Sequence, residues 1–162
     1  MASHTFKVEV SADKTLCRLE SQTTLFAHTV SRLALQKVTL SADAVCQNTV
    51  NVWRNHSFEP LDPLIAPYLA FSNWQIDFCL GGYDDALMFD ERKKADTDIL
   101  WLDSSRYLNH TSFSEWLEWV KSRLNALRGV TTSPIILATW VQSAEEVGAI
   151  NSLADSIPAV YF

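Results

Sequence analysis

The sequence predicts an α/β fold: a three-layer, doubly wound parallel sheet behind a mainly helical N-terminal extension. Three observations carry this. From Val50 to the end of the chain, short apolar runs alternate with amphipathic stretches, the alternation that builds parallel strands joined by helices. The run Asp98-Ile99-Leu100-Trp101-Leu102 is apolar with no wet face, as parallel strands are when covered on both sides. Polar clusters follow the successive runs at Arg54-Asn55-His56-Ser57, at Gly81-Gly82-Tyr83-Asp84 and at Asp103-Ser104-Ser105-Arg106. In an open parallel sheet all such ends lie on one edge, the edge that takes ligands.

At the N-terminus, TFKVEV alternates and reads as a short strand or arm, and Ser11-Ala12-Asp13 as a turn. Leu16 to Leu35 reads as one or two helices. The spacing from Phe26 through Val30 and Leu33 is helical, with His28 on or near the apolar stripe as a core residue. Lys37 to Asn48 is a connector in which Ser41-Ala42-Asp43 starts a short turn. The first strand is Val50 to Trp53, and the helix after it carries Leu61, Leu64, Ile65, Tyr68 and Leu69. Pro60 suits a first turn, whereas Pro67 predicts a kink or an irregular start. Trp74 to Leu80 is the second strand, ending in two glycines that permit positive φ and close backbone approach. A loop with a broken helical turn leads to the third strand, Asp98 to Leu102. Ser112 to Leu127 is a helix opened by a capping box with Glu115 and closed by Gly129. Pro134 to Trp140 is a strand, Ser143 to Asp155 a second amphipathic helix, and Pro158 to Phe162 a fifth strand.

Composition removes several functions. A net charge of −6 with no basic run excludes a nucleic-acid surface. No apolar run reaches the ~18 residues that span a bilayer, and MASHTFKVEV lacks the layout of a secretion signal. Cys17, Cys46 and Cys79 are odd in number and lack metal spacing, so reduced thiols and a cytoplasmic location are expected. No His, Cys or Asp pair has ligand spacing on one element, so neither a metal nor a cofactor is expected.

Ser57, at a strand-to-helix turn, is placed as a nucleophile, with His56, or else His110, as its base. Gly82 and Asn55 are the expected oxyanion donors. Arg54, Gly81, Tyr83, Asp103, Ser104 and Arg106 complete the expected binding surface. A purely structural reading stands beside it: Ser57 as the N-cap of the next helix, with Glu59 complementing its dipole.

The blocks VNVWRNHSFEPLDPLIAPYL, WQIDFCLGGYDD and ADTDILWLDSSRY resemble the N-terminal domain of FkbH-like proteins. Those proteins join an SGNH-hydrolase-like domain to a haloacid-dehalogenase-like domain and load three-carbon glyceryl units onto acyl carrier proteins. The resemblance implies an SGNH- or flavodoxin-like domain over residues 48–162, with residues 1–47 as an extension packed on its sheet. It also implies that the chain is the N-terminal part of a larger protein. The Gly of the second hydrolase block is similar to Gly81 or Gly82, and the other blocks depart from the pattern. No Gly-Asp precedes Ser57, Asp103-Ser104-Ser105 stands in place of the Gly-x-Asn-Asp block, and the Asp-x-x-His block, expected after the fifth strand, is missing or lies beyond Phe162. The expected function is therefore a degenerate SGNH-like domain that binds a carrier protein, an acyl or phosphoryl group, or a C-terminal partner domain. The alternative is an active serine esterase or acyltransferase.

Overall fold

The fold is seen in a computed structural model that describes residues 12–40, 46–84 and 86–162. The chain divides into two units: Met1–Cys46 with Pro60–Gln75, and Gln47–Glu59 with Ile76–Phe162. The five-stranded sheet is all-parallel, in the order β2-β1-β3-β4-β5. Its strands are β1 (Cys46–Arg54), β2 (Trp74–Tyr83), β3 (Thr97–Leu102), β4 (Ile135–Thr139) and β5 (Val160–Tyr161). The order reverses direction between β1 and β3, which makes the gap between their C-terminal ends the switch point of the sheet.

The second unit contains the main core. Leu100 and Leu102 of β3, Ile135 and Leu137 of β4 and Val160 of β5 point to one face. There they meet Trp116, Val120, Leu124 and Leu127 of α5 (Phe113–Arg128), and Ile150, Leu153 and Ala154 of α6 (Ala144–Asp155). Both helices open with complete capping boxes, Ser112 with Glu115 and Ser143 with Glu146, and Gly129 closes α5. Each box satisfies N–H groups that the first turn leaves unpaired, so the helix starts are set locally and the apolar stripes arrive in register with the sheet.

The opposite face is covered unevenly. Val52, Ile99, Ile136 and Tyr161 lie side by side across four strands. Val52 is sealed, but Ile136 is 39% exposed and Tyr161 58%. The continuous apolar run of β3 is thus fully buried on one face only, with Ile99 and Trp101 half-buried. Apolar composition made both faces look covered because Ile and Trp are apolar whether or not a neighbour reaches them.

The first unit holds α1 (Ala12–Leu25), α2 (Arg32–Leu35) and α3 (Asp62–Phe71). Phe26 packs edge-on to Tyr68 and Phe71, the Tyr68 hydroxyl donates to the Leu25 carbonyl (3.0 Å), and Arg18 donates to the Phe71 carbonyl and to Asn73 Oδ1.

Several expectations are corrected here. Ala12 and Asp13 begin α1 rather than a turn. The helical spacing from Phe26 does not form one helix: the chain breaks after Leu25, and His28 sits exposed in a bend. Pro60, expected in the first turn, lies before α3, which starts at Asp62. β2 runs on through Gly81 and Gly82 to Tyr83, and no described glycine has positive φ. Only Gly81 shows the close approach, where a Cβ would stand 3.1 Å from the Val52 carbonyl oxygen. TFKVEV and Ser41-Ala42-Asp43 lie outside the described residues.

Candidate functional site

β1 ends at Arg54 and hands the chain to Asn55, His56 and Ser57 at the switch point. Asn55 is completely buried. Its Oδ1 accepts from the Asp103 N–H at 2.7 Å, its Nδ2 donates to the Asp103 carbonyl at 3.2 Å, and its own N–H donates to the Trp101 carbonyl. Arg106 donates to the Asn55 carbonyl. Asn55 therefore staples the end of β1 to the end of β3. Its amide is committed to that loop and not aimed at an oxyanion.

Arg54 turns to the side away from Trp53 and is buried. Its Nε donates to the Gly81 carbonyl at 2.8 Å, and its Nη1 meets Glu59 Oε1 at 2.7 Å. The guanidinium lies over the Tyr83 ring at 4.5 Å, a cation–π contact. Tyr83 then carries the network outward, its hydroxyl 3.0 Å from Ser57 Oγ and 3.4 Å from Glu59 Oε2. The Arg54 guanidinium, and after it the backbone N–H groups at the turn, hold the Glu59 carboxyl below the usual glutamate range. Arg54, Ser57, Glu59 and Tyr83 thus form one polar chain.

His56 belongs to a different group. Its ring packs edge-on to Trp140 (5.4 Å), which stands edge-on to Trp101 (5.0 Å), which meets Phe58 (5.5 Å). Among the described residues no hydrogen bond joins His56 to Ser57. His110 lies exposed just past α4 (Ser105–Leu108). The N-cap reading of Ser57 is corrected: α3 begins at Asp62 with Leu61 at its N-cap, and no side chain caps it. Pro60 and the turn before Leu61 separate Ser57 from the helix, so its hydroxyl cannot reach the first-turn N–H groups.

Asp103 Oδ1 accepts from the Ser105 N–H (3.0 Å) and the Ser105 hydroxyl (2.6 Å), an Asx turn that starts α4. The Ser104 hydroxyl, buried, donates to the Trp140 carbonyl. These residues border a cavity of ≈ 360 Å³ with Asn109, Gln142 and Glu146. Gly81 and Gly82, with Arg54 and Asp84, border another of ≈ 480 Å³. The strand ends that the sequence grouped together therefore open onto separate cavities, and Ser57 lines neither.

Sequence reasoning missed a further cluster at the opposite end of the strands. Asp98, fully buried, receives Arg92 through both carboxylate oxygens (2.7 Å from Nη2), with Trp53 Nε1 at 3.0 Å and Asn51 Nδ2 at 3.2 Å. The available signal was a lone carboxylate heading an apolar strand, which needs a buried cation nearby. Among the described residues no group of His, Cys, Asp and Glu is placed to hold a metal, and no helix is long and apolar enough to cross a membrane.

No protein-family model matches the chain, and no curated protein matches it. Its fold is similar to the crystal structure of the N-terminal part of the protein BF1531 from Bacteroides fragilis, containing a phosphatase domain complexed with Mg. The TM-score is 0.54 at 10% identity, over 78% of this chain and 43% of that one. At that identity the likeness is one of fold alone, and the chain spans less than half the length of that structure.

Proposed function

We propose that this chain is a binding domain and not a working hydrolase. It is an SGNH-like module of an FkbH-like protein, and its strand-end surface engages a carrier protein, the acyl or phosphoryl group it bears, or a partner domain during biosynthetic acyl loading. The observation that carries this reading is the state of Ser57. Its hydroxyl is paired with the Tyr83 phenol at 3.0 Å, while the neighbouring imidazole packs on Trp140. A serine becomes a nucleophile when a base takes its proton and a third group orients that base. Here the imidazole packs on Trp140, and among the described residues no carboxylate hydrogen-bonds it. The fold likeness to part of a longer structure described as containing a phosphatase domain, of which the match covers 43%, supports a place in a multidomain protein.

Two measurements test the reading together. Turnover of p-nitrophenyl acetate should be the same for the wild type and Ser57→Ala, and calorimetric titration with a glyceryl-charged acyl carrier protein should give saturable binding that Tyr83→Ala weakens. Ester hydrolysis that depends on Ser57 would restore the hydrolase. Absence of carrier binding with a folded protein would remove the loading role.

A further inference from the structure

The larger cavity shares Arg54 with the Ser57 network but is not lined by Ser57, Glu59 or Tyr83, and it needs its own account. It is a groove of ≈ 480 Å³ along the sheet, between β1 and β2 on one side and the segment from Ala86 to Lys93 on the other. That volume falls within the roughly 300–1,000 Å³ range of small-molecule sites. Among the described residues the connection from β2 to β3 holds no helix, only a turn closed by the Arg92 N–H on the Phe89 carbonyl.

We propose that this groove binds a small organic cation with an apolar body. The proposal does not rest on the carrier-loading reading. Trp53 on β1 and Cys79 and Gly81 on β2 line one side, and Leu87 and Met88 line the other. Gly81 keeps the cleft open, since a Cβ there would press on the Val52 carbonyl at 3.1 Å and stand 3.8 Å from the Trp53 ring. The outer wall is held in place. Asp84 accepts from the Ala86 and Met88 N–H groups, each at 2.8 Å, and Leu87, 1% exposed, is kept at φ 51°. A buried leucine in the left-handed region is strained, and the Asp84 bonds on either side of it fix the wall's shape. At the lip, Met88 is 56% exposed, apolar surface that a ligand body would cover.

Charge selects the ligand class. Arg54 is neutralised by Glu59, and both Asp84 oxygens are spent on backbone N–H groups. Asp90, Glu91 and Lys93 remain on the lining, and none of them forms an ion pair with another described residue. Carboxylates thus outnumber the ammonium, in a chain of net charge −6. A protonated amine gains from this field and a carboxylate is repelled by it.

The test uses probes that share one body and differ in charge: 2-phenylethylamine, 2-phenylethanol and 3-phenylpropionate. Titration of the full chain should show saturable binding of the amine, about tenfold tighter than the carboxylate, with the alcohol between them. In a Cys17→Ser, Cys46→Ser background the amine should slow alkylation of Cys79 by iodoacetamide to the same saturation point. Cys79→Tyr, which fills the groove, should abolish amine binding. Equal or tighter binding of the carboxylate, an unprotected Cys79, or amine binding that survives Cys79→Tyr would each overturn the proposal. Should Cys79→Tyr fail to fold, Asp90→Asn with Glu91→Gln, both at exposed positions, decides the matter. Loss of the preference for the amine supports the proposal, and an unchanged preference overturns it.

Discussion

Two arginine–carboxylate pairs hang on or beside β1, alike in contact distance and in a largely buried arginine but different at the carboxylate. Arg92 meets Asp98, and Arg54 meets Glu59, both at 2.7 Å. Asp98 is fully buried and takes both arginine nitrogens, an indole N–H and an amide N–H, so water is replaced donor by donor. Glu59 is 52% exposed, and its second oxygen faces the hydroxyl chain to Tyr83 and Ser57. A charge taken out of water must be met by its neighbours, so the inner pair ties the start of β3 to β1 and to the loop before it. In the outer pair only the carboxylate keeps its water: the Arg54 side chain is 8% exposed, as buried as Arg92, and the two pairs differ on the acid side. The outer pair's effect is to lay the guanidinium under the Tyr83 ring and so place the phenol over Ser57.

The sharpest way to break the comparison is to remove one carboxylate from each pair. Asp98→Ala should destabilise by about 3–5 kcal/mol, because it leaves a largely buried guanidinium and two donors unpaired. Chemical denaturation monitored by Trp fluorescence would measure it. A cost near that of a surface substitution, within about 0.5 kcal/mol, would show that water enters the inner site. Asn55→Ala comes next, at about 1–3 kcal/mol, since it removes a fully buried amide and strands the half-buried Asp103 N–H and carbonyl at the β1–β3 junction.

The outer pair should show itself in acid rather than in total stability. Glu59 titrates below the usual glutamate value in the folded protein, chiefly through Arg54. A lowered folded-state pKa contributes stability that is present above the unfolded-state value and is lost as pH falls through the folded one. The difference in Tm between the wild type and Glu59→Gln should therefore be flat at neutral pH and shrink below the ordinary glutamate range. High salt should shrink it too, because the Glu59 carboxylate is half in solvent. A difference that grows on acidification would contradict the assignment.

The sheet, the strand alternation, α5 and α6 were legible because their signals are local: apolar runs of strand length, and Ser112 and Ser143 each followed by glutamate at the right spacing. Where the signal depended on a distant partner, the reading failed or stayed silent. Nothing in Phe26, Val30 or Leu33 reveals that the chain breaks after Leu25. Nothing in ERKKADTD marks Arg92 as the residue that reaches into the core. At the candidate site, the polar residue types at the strand ends were visible, and their grouping was not. Whether His56 turns to Ser57 or to Trp140 depends on how β1 and β4 stand in the sheet, which adjacent letters do not encode.

The smallest expected effect is also the most discriminating. Ser57 is exposed, and its side chain makes one contact with a side chain that is itself 58% exposed. Losing such a bond exchanges it for water, so Ser57→Ala should cost no more than about 0.5 kcal/mol. Were Ser57 an N-cap, the cost would be about 0.5–2 kcal/mol. Leu61 holds that position instead. Tyr83→Phe removes the other half of the same contact. A double-mutant cycle over the pair should then give a coupling energy within about 0.5 kcal/mol of zero. A coupling well above that would mean the hydroxyl pair is shielded from water and the Arg54–Glu59 network is as rigid as its buried counterpart. The two arginine pairs would then do the same structural work, and the outer one would no longer be the half that remains available for binding.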